Sequence, residues 1–217
     1  MTQRLPLVFI QSLFGKLDPG RFPALFLEAL TQVQNVQRGS IWIRRGDRYV
    51  CSESIGPDAE KVKGLAVSAG RPSIVGTVIE TGKMRIAEAG KDPRHFKEFE
   101  NGFDVKSTLI LCFPLKLKDG SIYGAVQIID TSAGGKRLNL SADYLEMMEA
   151  LVTAGGIALS ASLVLEEHQR QNVELKKILD EVRSPPGIVG RSKALETVLR
   201  TAIPAAFAPA PPASPST

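Results

Sequence analysis

Two long apolar runs joined by a tight turn constrain the fold more than any other feature of the chain. Residues 107–117 and 122–130 are rich in β-branched and aromatic side chains, and Lys118-Asp119-Gly120 lies between them. An Asp-Gly pair between such runs favours a two-stranded hairpin, because its turn needs residues that tolerate positive φ angles. The centre of the chain is therefore predicted to be antiparallel β-sheet.

Further elements are predicted on both sides of this hairpin. Residues 40–45 and 49–54 flank Gly46 and predict a second hairpin. Apolar side chains spaced at i, i+3 and i+4 predict helices over residues 2–17, about 22–36 and 141–182, with Pro185-Pro186 ending the last one. Two short helices (60–65 and 73–80) and one short strand (84–87) complete the order. We expect an α+β domain whose antiparallel sheet is covered by helices on one face.

Composition narrows the function classes. The chain has 217 residues, 43% hydrophobic and 23% charged, with a net charge of +4. Its basic residues are scattered and stand beside acids, which indicates solvated surface, so we expect no direct nucleic-acid binding. Cys51 and Cys112 alone cannot build a disulfide framework or a four-cysteine metal site. We expect neither a cofactor nor a bound metal.

No targeting or membrane segment is predicted. The apolar patch at residues 5–10 is short and lacks a small-residue cleavage site, so it does not resemble a signal peptide. Residues 150–165 are uncharged, but they include glycine, serine and threonine and are too few to span a bilayer comfortably. A cytoplasmic location without membrane contact is the expectation.

Several strings in one order resemble the GAF domain family. They are Arg38-Gly-Ser-Ile-Trp-Ile, Gly76-Thr-Val-Ile-Glu-Thr-Gly-Lys-Met-Arg-Ile, Asp92-Pro-Arg, Lys106-Ser-Thr-Leu-Ile-Leu-Cys-Phe-Pro-Leu, Gly120-Ser-Ile-Tyr-Gly-Ala-Val-Gln-Ile-Ile-Asp and Leu140-Ser-Ala-Asp-Tyr-Leu. The resemblance covers roughly residues 20–165. It implies a central antiparallel sheet with helices from both chain ends on one face, and a lid of loop and small helices over the other. It also implies a small-molecule sensor or a dimerisation module, not an enzyme.

A second resemblance lies near the C-terminus. Gly187-Ile-Val-Gly-Arg-Ser-Lys-Ala-Leu-Glu196 resembles the opening of the AAA+ ATPase domain of bacterial enhancer-dependent activators, which act on sigma-54 RNA polymerase. No Gly-x-x-x-x-Gly-Lys-Ser/Thr loop is present, so phosphate chemistry of that kind is not expected. The resemblance implies a regulatory domain that controls the ATPase of such an activator, with the AAA+ domain and sigma-54 polymerase as partners of the full-length protein.

The predicted domain organisation follows from both resemblances. It comprises an N-terminal helix (1–18), a GAF sensor domain (19–165), a coiled-coil linker helix (166–186), the start of a truncated AAA+ domain (187–203) and a disordered tail rich in proline and alanine (204–217). The composition of the tail cannot support a packed core.

Three known kinds of GAF ligand do not match the sequence. The Asn-Lys pair that cyclic-nucleotide GAF domains carry after their last strand is replaced here by Asp130-Thr131. A bilin needs an exposed cysteine, often beside a histidine, and Cys112 sits in an apolar run. His95 and His168 are the only histidines, too few for a clustered iron site. Cyclic nucleotides, bilins and iron are therefore disfavoured.

The loop over residues 92–103 is the best place to seek a ligand. Its cationic side chains suit a carboxylate or phosphate, and its phenylalanines would supply apolar walls. The hypothesis is that a small organic anion, of unknown identity, binds between this loop and the sheet. The candidate ligand-binding residues are Ser54, Ile86, Ala87, Arg94, His95, Phe96, Phe99, Ser107 and Gln127. The alternative is a solvated loop that its phenylalanines anchor to the core.

The last long helix predicts a homodimer. Small residues recur at four- and three-residue intervals, and an alternating three-and-four spacing of larger residues follows, as in a coiled-coil seam. The candidate interface residues are Ala154, Ala158, Ala161, Leu165, Leu175, Leu179 and Val182. In the alternative interpretation, the small residues pack on the domain's own sheet.

Two other function classes are alternatives to the ligand sensor. A purely structural GAF dimerisation module with no ligand would have its pocket filled by its own side chains. A GAF-like reductase of methionine sulfoxide would need a cluster of reactive cysteines, for which Cys51 and Cys112 are poorly placed. Two distant histidines also give no arrangement for nucleophilic catalysis. The expectation is that the chain is not an enzyme.

Overall fold

The computed structural model describes residues 20–95, 100–134, 137–183 and residue 197. Its elements are α1 (Phe22–Val33), β1 (Arg38–Arg45), β2 (Arg48–Ile55), α2 (Ala59–Val62), β3 (Ala66–Ser68), α3 (Ile74–Thr81), β4 (Arg85–Glu88), β5 (Ser107–Lys116), β6 (Ile122–Thr131) and α4 (Ala142–Arg183). The predicted N-terminal helix (1–18) and proline-rich tail (204–217) lie outside the described residues. So does the predicted start of the AAA+ domain (187–203), except residue 197.

Six strands form one antiparallel sheet in the order β3-β2-β1-β6-β5-β4. Both predicted hairpins, β1–β2 and β5–β6, are present and become neighbours because β1 pairs with β6. The expected α+β fold class is thereby confirmed. Strand β3 was not predicted, since its three residues are too few to show a period of two.

Side chains alternate between two faces of the sheet. The helix face carries the larger core, where Phe26, Leu30, Met148 and Val152 from α1 and α4 pack against strand residues such as Ile128. The opposite face, called the lid face below, carries a second core beneath α3. Trp42, Cys112, Ala125 and Ile129 contribute to it. Each central strand thus contacts α1 and α4 with one set of residues and the lid side with the other.

Gly124, which lacks a Cβ atom, and Pro114, which lacks an N–H donor, both occupy strand positions that suit them. A Cβ atom at Gly124 would lie 2.3 Å from the carbonyl oxygen of Trp42, so only glycine lets β6 approach β1 this closely. Pro114 pairs with Ala125 of β6, whereas β4 pairs with β5 only as far as Cys112. The proline ring therefore costs no sheet hydrogen bond on its open side.

Helix α3 has a clear signal at each end. The hydroxyl of Ser73 accepts a hydrogen bond from the Gly76 amide at 2.8 Å, which caps the first turn. Gly82 ends the helix with φ of 66°, the left-handed conformation that glycine adopts most readily. Ile74, Val75, Val78 and Ile79 are buried against the lid face, so α3 closes one side of that face.

The first half of α4 belongs to the helix-face core. Gly155 touches Phe26 so closely that a Cβ atom would lie 2.1 Å from the ring. The Tyr123 hydroxyl donates a hydrogen bond to the Gly156 carbonyl at 2.5 Å, and burial raises the pKa of that tyrosine. By length and composition, residues 142–181 could cross a membrane, but 44% of the relevant window is buried within the structure. Packing on the sheet accounts for much of its apolar character.

The chain divides into two compact units, residues 1–166 and 167–217. The second unit contains the later part of α4, which is helical to Arg183. In this part Val173, Leu175, Ile178 and Leu179 are about half exposed. Such a concentration of exposed aliphatic side chains is unusual for a helix that meets only water.

Candidate functional site

The lid face holds a cavity of about 100 Å³. Sheet residues form its floor, and α3 and the residues around α2 and β3 form one side. The described residues of the lid, defined as residues 89–106, close another side. An enclosed space of similar size, about 150 Å³, holds a molecule such as benzene. The lining residues are Arg38, Gly39, Ser40, Trp42, Ser54, Val62, Leu65, Val67, Ser73, Ile74, Val75, Arg94, His95, Glu100, Phe103, Ser107, Ile110, Gln127 and Ile129.

A chain of hydrogen bonds fixes the polar groups on the cavity floor. The Trp42 indole donates to Ser40 Oγ at 2.9 Å, and the Ser40 hydroxyl donates to Gln127 Oε1 at 3.2 Å. The indole N–H can only donate a hydrogen bond, so Ser40 Oγ is the acceptor there. The Ser40 hydroxyl in turn donates its hydrogen bond to Gln127. The Gln127 amide is therefore oriented with its oxygen toward Ser40, and the nitrogen is its remaining polar group.

Arg38 joins the floor to the end of the lid. It is 3% exposed, and its guanidinium donates to the Val105 carbonyl at 2.9 Å while lying 4.9 Å from the centre of the Phe103 ring. It also pairs with Asp58 at 3.4 Å. Burial lowers the pKa of Arg38, but a guanidinium stays charged at physiological pH. Arg38 therefore links β1 to the end of the lid and also lines the cavity.

Two aspartates hold the ends of the lid. Near its start, Asp92 accepts hydrogen bonds from the Arg85 guanidinium at 2.6 and 3.1 Å and from the Arg94 amide at 2.9 Å. Near its end, Asp58 accepts bonds from Lys61 at 2.8 Å and from the Asp104 amide at 3.2 Å. The pKa of Asp58 is lowered, chiefly by the bond from Lys61. The ionised aspartates therefore anchor both described parts of the lid.

His95 and Glu100 meet at the cavity wall. His95 Nδ1 accepts the Gly90 amide proton at 3.3 Å, so the neutral ring carries its proton on Nε2, which lies 3.5 Å from Glu100 Oε1. The same carboxylate oxygen accepts bonds from the Ser107 amide at 3.2 Å and from the Ser107 hydroxyl. Burial alone would raise the pKa of Glu100, but the bonds from His95 and Ser107 outweigh it and lower that pKa. Glu100 is consequently an anion at neutral pH.

The cavity brings together five of the nine predicted ligand-binding residues: Ser54, Arg94, His95, Ser107 and Gln127. They come from β2, the lid, β5 and β6, which are far apart in sequence. Whether they bind a ligand stays a prediction. Phe96 and Phe99 lie outside the described residues.

The placement of Ile86 corrects one prediction. Ile86 pairs with Leu111, whose side chain lies in the helix-face core, and 39% of Ile86 is exposed. It lies on the opposite face from the cavity because side chains of a strand alternate. Its neighbour Ala87 faces the lid side but contributes to the second core, 3% exposed, and is not among the lining residues.

Sequence reasoning missed the charged residues Arg38 and Glu100. Arg38, Ser40 and Trp42 alternate along one strand, and polar residues at every second position of a central strand are a detectable sign of a functional face. Glu100 carried no such signal, since its role depends on the fold of the lid.

The predicted dimer-interface residues of α4 differ in how far they are buried within the domain. Ala154 and Ala158 are half-buried and Ala161 is exposed, and Ala158 packs on the helix-face core. Leu165, Leu175 and Leu179 are about half exposed. The side chain of Val182 lies outside the described residues. Part of the small-residue stripe thus packs on the domain itself, while the leucines are accessible.

Reactive chemistry has little support in the described part of the chain. Cys51 and Cys112 are both buried, and burial raises the pKa of each thiol, that of Cys51 to about 12. Such thiols are poor nucleophiles at neutral pH. Among the described residues, no group of three or more histidine, cysteine, aspartate or glutamate side chains could hold a metal ion.

Comparison with known sequences decides the family. The family profile named GAF_2, GAF domain, matches residues 24–160, more than half of the chain. The chain belongs to the GAF domain family. GAF domains are regulatory modules that sense ligands or dimerise. Comparison with curated proteins gave no match.

Solved GAF domains share the fold at low sequence identity. The GAF domain of a phosphoenolpyruvate-protein phosphotransferase from Coxiella burnetii is 18% identical, with a TM-score of 0.61 over 77% of this chain and 95% of that one. Its Acinetobacter counterpart is 13% identical, with a TM-score of 0.61 over 75% and 95%. The A. aeolicus nlh2 GAF domain, in an inactive state, is 17% identical, with a TM-score of 0.52 over 75% and 94%.

Proposed function

We propose that this GAF domain is the ligand-sensing regulatory part of an enhancer-dependent transcription activator. A small organic anion binds in the lid-face cavity, and a dimeric α4 carries the signal to an ATPase domain that begins near residue 187. The domain itself is non-catalytic, binds no nucleic acid and works in the cytoplasm. The observation that carries the proposal is the cavity, whose apolar wall surrounds the oriented Gln127 amide.

The size and chemistry of the cavity favour a small ligand. A space of about 100 Å³ suits a molecule of few non-hydrogen atoms and excludes a cyclic nucleotide unless the lid opens. Ile74, Val75, Ile110 and Ile129 offer apolar contacts, while Arg94 and Gln127 offer hydrogen-bond donors for a carboxylate. This combination is typical of sites that bind small metabolites.

The sheet supports a route from ligand to helix. On β6, Gln127 faces the cavity, whereas its neighbours Val126 and Ile128 belong to the core shared with α1 and α4. A ligand that shifts β6 therefore changes the packing under the first half of α4. Regulation follows if the ligand has different affinities for two arrangements of the helix. In the full-length regulator, deletion of residues 166–183 should uncouple ATPase activity from the ligand, and retained regulation would refute this relay.

The resemblance of residues 187–196 to an AAA+ opening supports the ATPase context. The half-exposed leucines at 165, 175 and 179 support dimerisation. These leucines equally favour a second candidate, a structural dimerisation module with no ligand. The two candidates make the same dimer but differ in whether the cavity binds anything.

A thermal-shift screen separates the two candidates. The purified chain is tested against metabolite anions, cyclic nucleotides and small aromatics, because any ligand that binds only the folded state raises the melting temperature. A saturable shift that Arg94→Ala abolishes supports the sensor. A flat response across the panel, from a protein that is dimeric at all concentrations tested, supports the dimerisation module.

A further inference from the structure

We infer that the ligand of this cavity is an amino carboxylate, a small molecule with one carboxylate and one N–H donor on a short apolar body. The inference rests on the proposed function and names the chemical class of its ligand. Three groups carry it: the Glu100 carboxylate, the Gln127 amide and the Arg94 guanidinium, all of which line the cavity.

Glu100 lines the cavity and has one carboxylate oxygen that no described residue contacts. Among the described residues, the polar contacts that reach this carboxylate, from His95 and from both donors of Ser107, end on Oε1. Within the described part of the chain Oε2 accepts none, and only 13% of the side chain is exposed. The Arg38 guanidinium lies close enough to offset part of the Glu100 charge, but an ammonium or other N–H donor at Oε2 would gain a charge-assisted hydrogen bond that a simple organic anion cannot make. A ligand that carries a donor is therefore favoured.

Gln127 favours a ligand that supplies a hydrogen-bond acceptor. Its Oε1 is occupied by the Ser40 hydroxyl, and no described residue accepts a hydrogen bond from its Nε2. The residue is 8% exposed, so an acceptor supplied by a ligand would satisfy a nearly buried amide. Arg94 adds a guanidinium whose contact with Asp92 is long, at 3.8 Å, and whose side chain is 38% exposed. A ligand carboxylate would suit either group.

The donor and acceptor positions are separated along the sheet. Glu100 bonds to Ser107, which pairs with Thr131, and Thr131 lies four residues from Gln127 on β6. At about 3.3 Å per residue this corresponds to roughly 13 Å between the two backbone positions. Ile129 lies between them and offers an apolar surface. Side chains reach inward from both positions, so an ω-amino carboxylate of about five carbons is the matching probe, whereas an α-amino carboxylate, with both charged groups on adjacent carbons, is too short to reach both.

Four compounds with similar carbon skeletons test the inference: 2-aminopentanoate, 5-aminopentanoate, pentanoate and pentylamine. Each is titrated into the full chain at pH 7 by calorimetry, and thermal shift serves as a second readout. 5-Aminopentanoate should bind at least tenfold more tightly than pentanoate and pentylamine, and more tightly than 2-aminopentanoate. If pentanoate binds as tightly as 5-aminopentanoate, the inference is overturned while the sensor proposal stands.

A variant assigns the preference to Glu100. Glu100→Gln removes the charge and should reduce the advantage of the amino carboxylate over pentanoate by about tenfold. Glu149→Gln, an exposed change on α4, should leave the advantage unaltered. An undiminished preference in Glu100→Gln would overturn the assignment. Because the four-compound comparison needs only the wild-type chain, it decides the question even if Glu100→Gln does not fold. If neither these compounds nor the wider panel bind, both the inference and the sensor proposal fail.

Discussion

The Nε2 atom of His95 lies 3.5 Å from Oε1 of Glu100, at the wall of the lid-face cavity. This contact joins two lid residues across the segment between them, and Ser107 ties the same carboxylate to β5. Ionised Glu100 therefore adds to the contacts of Asp92, Asp58 and Arg38 that hold the lid. This contribution can be measured in the absence of any ligand.

The first prediction concerns acid stability. Because the pKa of Glu100 is lowered in the folded chain, its ionised form stabilises the fold above the unfolded-state pKa of about 4.3, and this contribution is lost as pH falls through the lower, folded-state pKa. Glu100→Gln should make the free energy of unfolding depend less on pH in that acid range. Urea midpoints measured between about pH 3 and 6 test this, with Glu149→Gln as the control. Parallel profiles for wild type and Glu100→Gln would contradict the role of Glu100.

The second prediction concerns the contact between Gly155 and Phe26. A Cβ atom at Gly155 would lie 2.1 Å from the ring, whereas one at Gly156 would lie 3.3 Å from the flexible Leu115 side chain. Alanine gains about 1 kcal/mol in helix propensity at either position, but overpacking at Gly155 costs about 1–3 kcal/mol. We expect Gly155→Ala to lower the free energy of unfolding and Gly156→Ala to change it little or raise it. Equal effects of the two changes would show that α1 yields to the added methyl group.

The third prediction concerns Arg38. Arg38→Met removes the bond to Val105, the contact with Phe103 and one of the two ion-pair partners of Asp58. The Asp58 side chain is 2% exposed. Asp58 keeps its bonds from Lys61 and the Asp104 amide, so the main loss is the hydrogen bond from the charged, buried Arg38 to Val105, which is worth about 1.5–3 kcal/mol in chemical denaturation. Lys61→Met removes another partner of Asp58 at a half-exposed position and should have a smaller effect. If Lys61→Met were the more damaging change, Arg38 would not be the tie that holds the end of the lid.

The fourth prediction concerns the oligomeric state. Leu175 is 56% exposed, and we expect it to lie in a seam between two copies of α4. Leu175→Asp should shift the chain from dimer to monomer in sedimentation experiments, because a carboxylate in such a seam cannot be paired. Lys176→Asp places the same side chain at the adjacent helix position and should leave the dimer intact. A dimer that survives Leu175→Asp would move the interface away from this part of α4.

The sequence predicts the sheet and the main helices because their signals are local. The Asp119-Gly120 turn, the apolar runs beside it and the helix stop at Gly82 are all read from neighbouring residues. The cavity is predicted only in part, because its floor is assembled from residues far apart in the chain. Gln127 and Ser40 meet only after β1 pairs with β6.

The errors have equally physical origins. Ile86 was assigned to the site although its register places it on the helix face, since one residue along a strand reverses the face. Glu100 was overlooked because a glutamate in a polar loop is usually solvated, and only its contacts with His95 and Ser107 distinguish it.

The central claim, that the cavity is the ligand site of a sensor, is tested most directly by methyl NMR. The chain is labelled at isoleucine and valine methyl groups and titrated with the tightest compound from the thermal-shift screen. The largest shifts are expected at Val75, Ile110 and Ile129, which line the cavity, with smaller ones at Val152 on the helix face. Shifts that are largest at Val152, or no saturable shift with any compound, would contradict the claim.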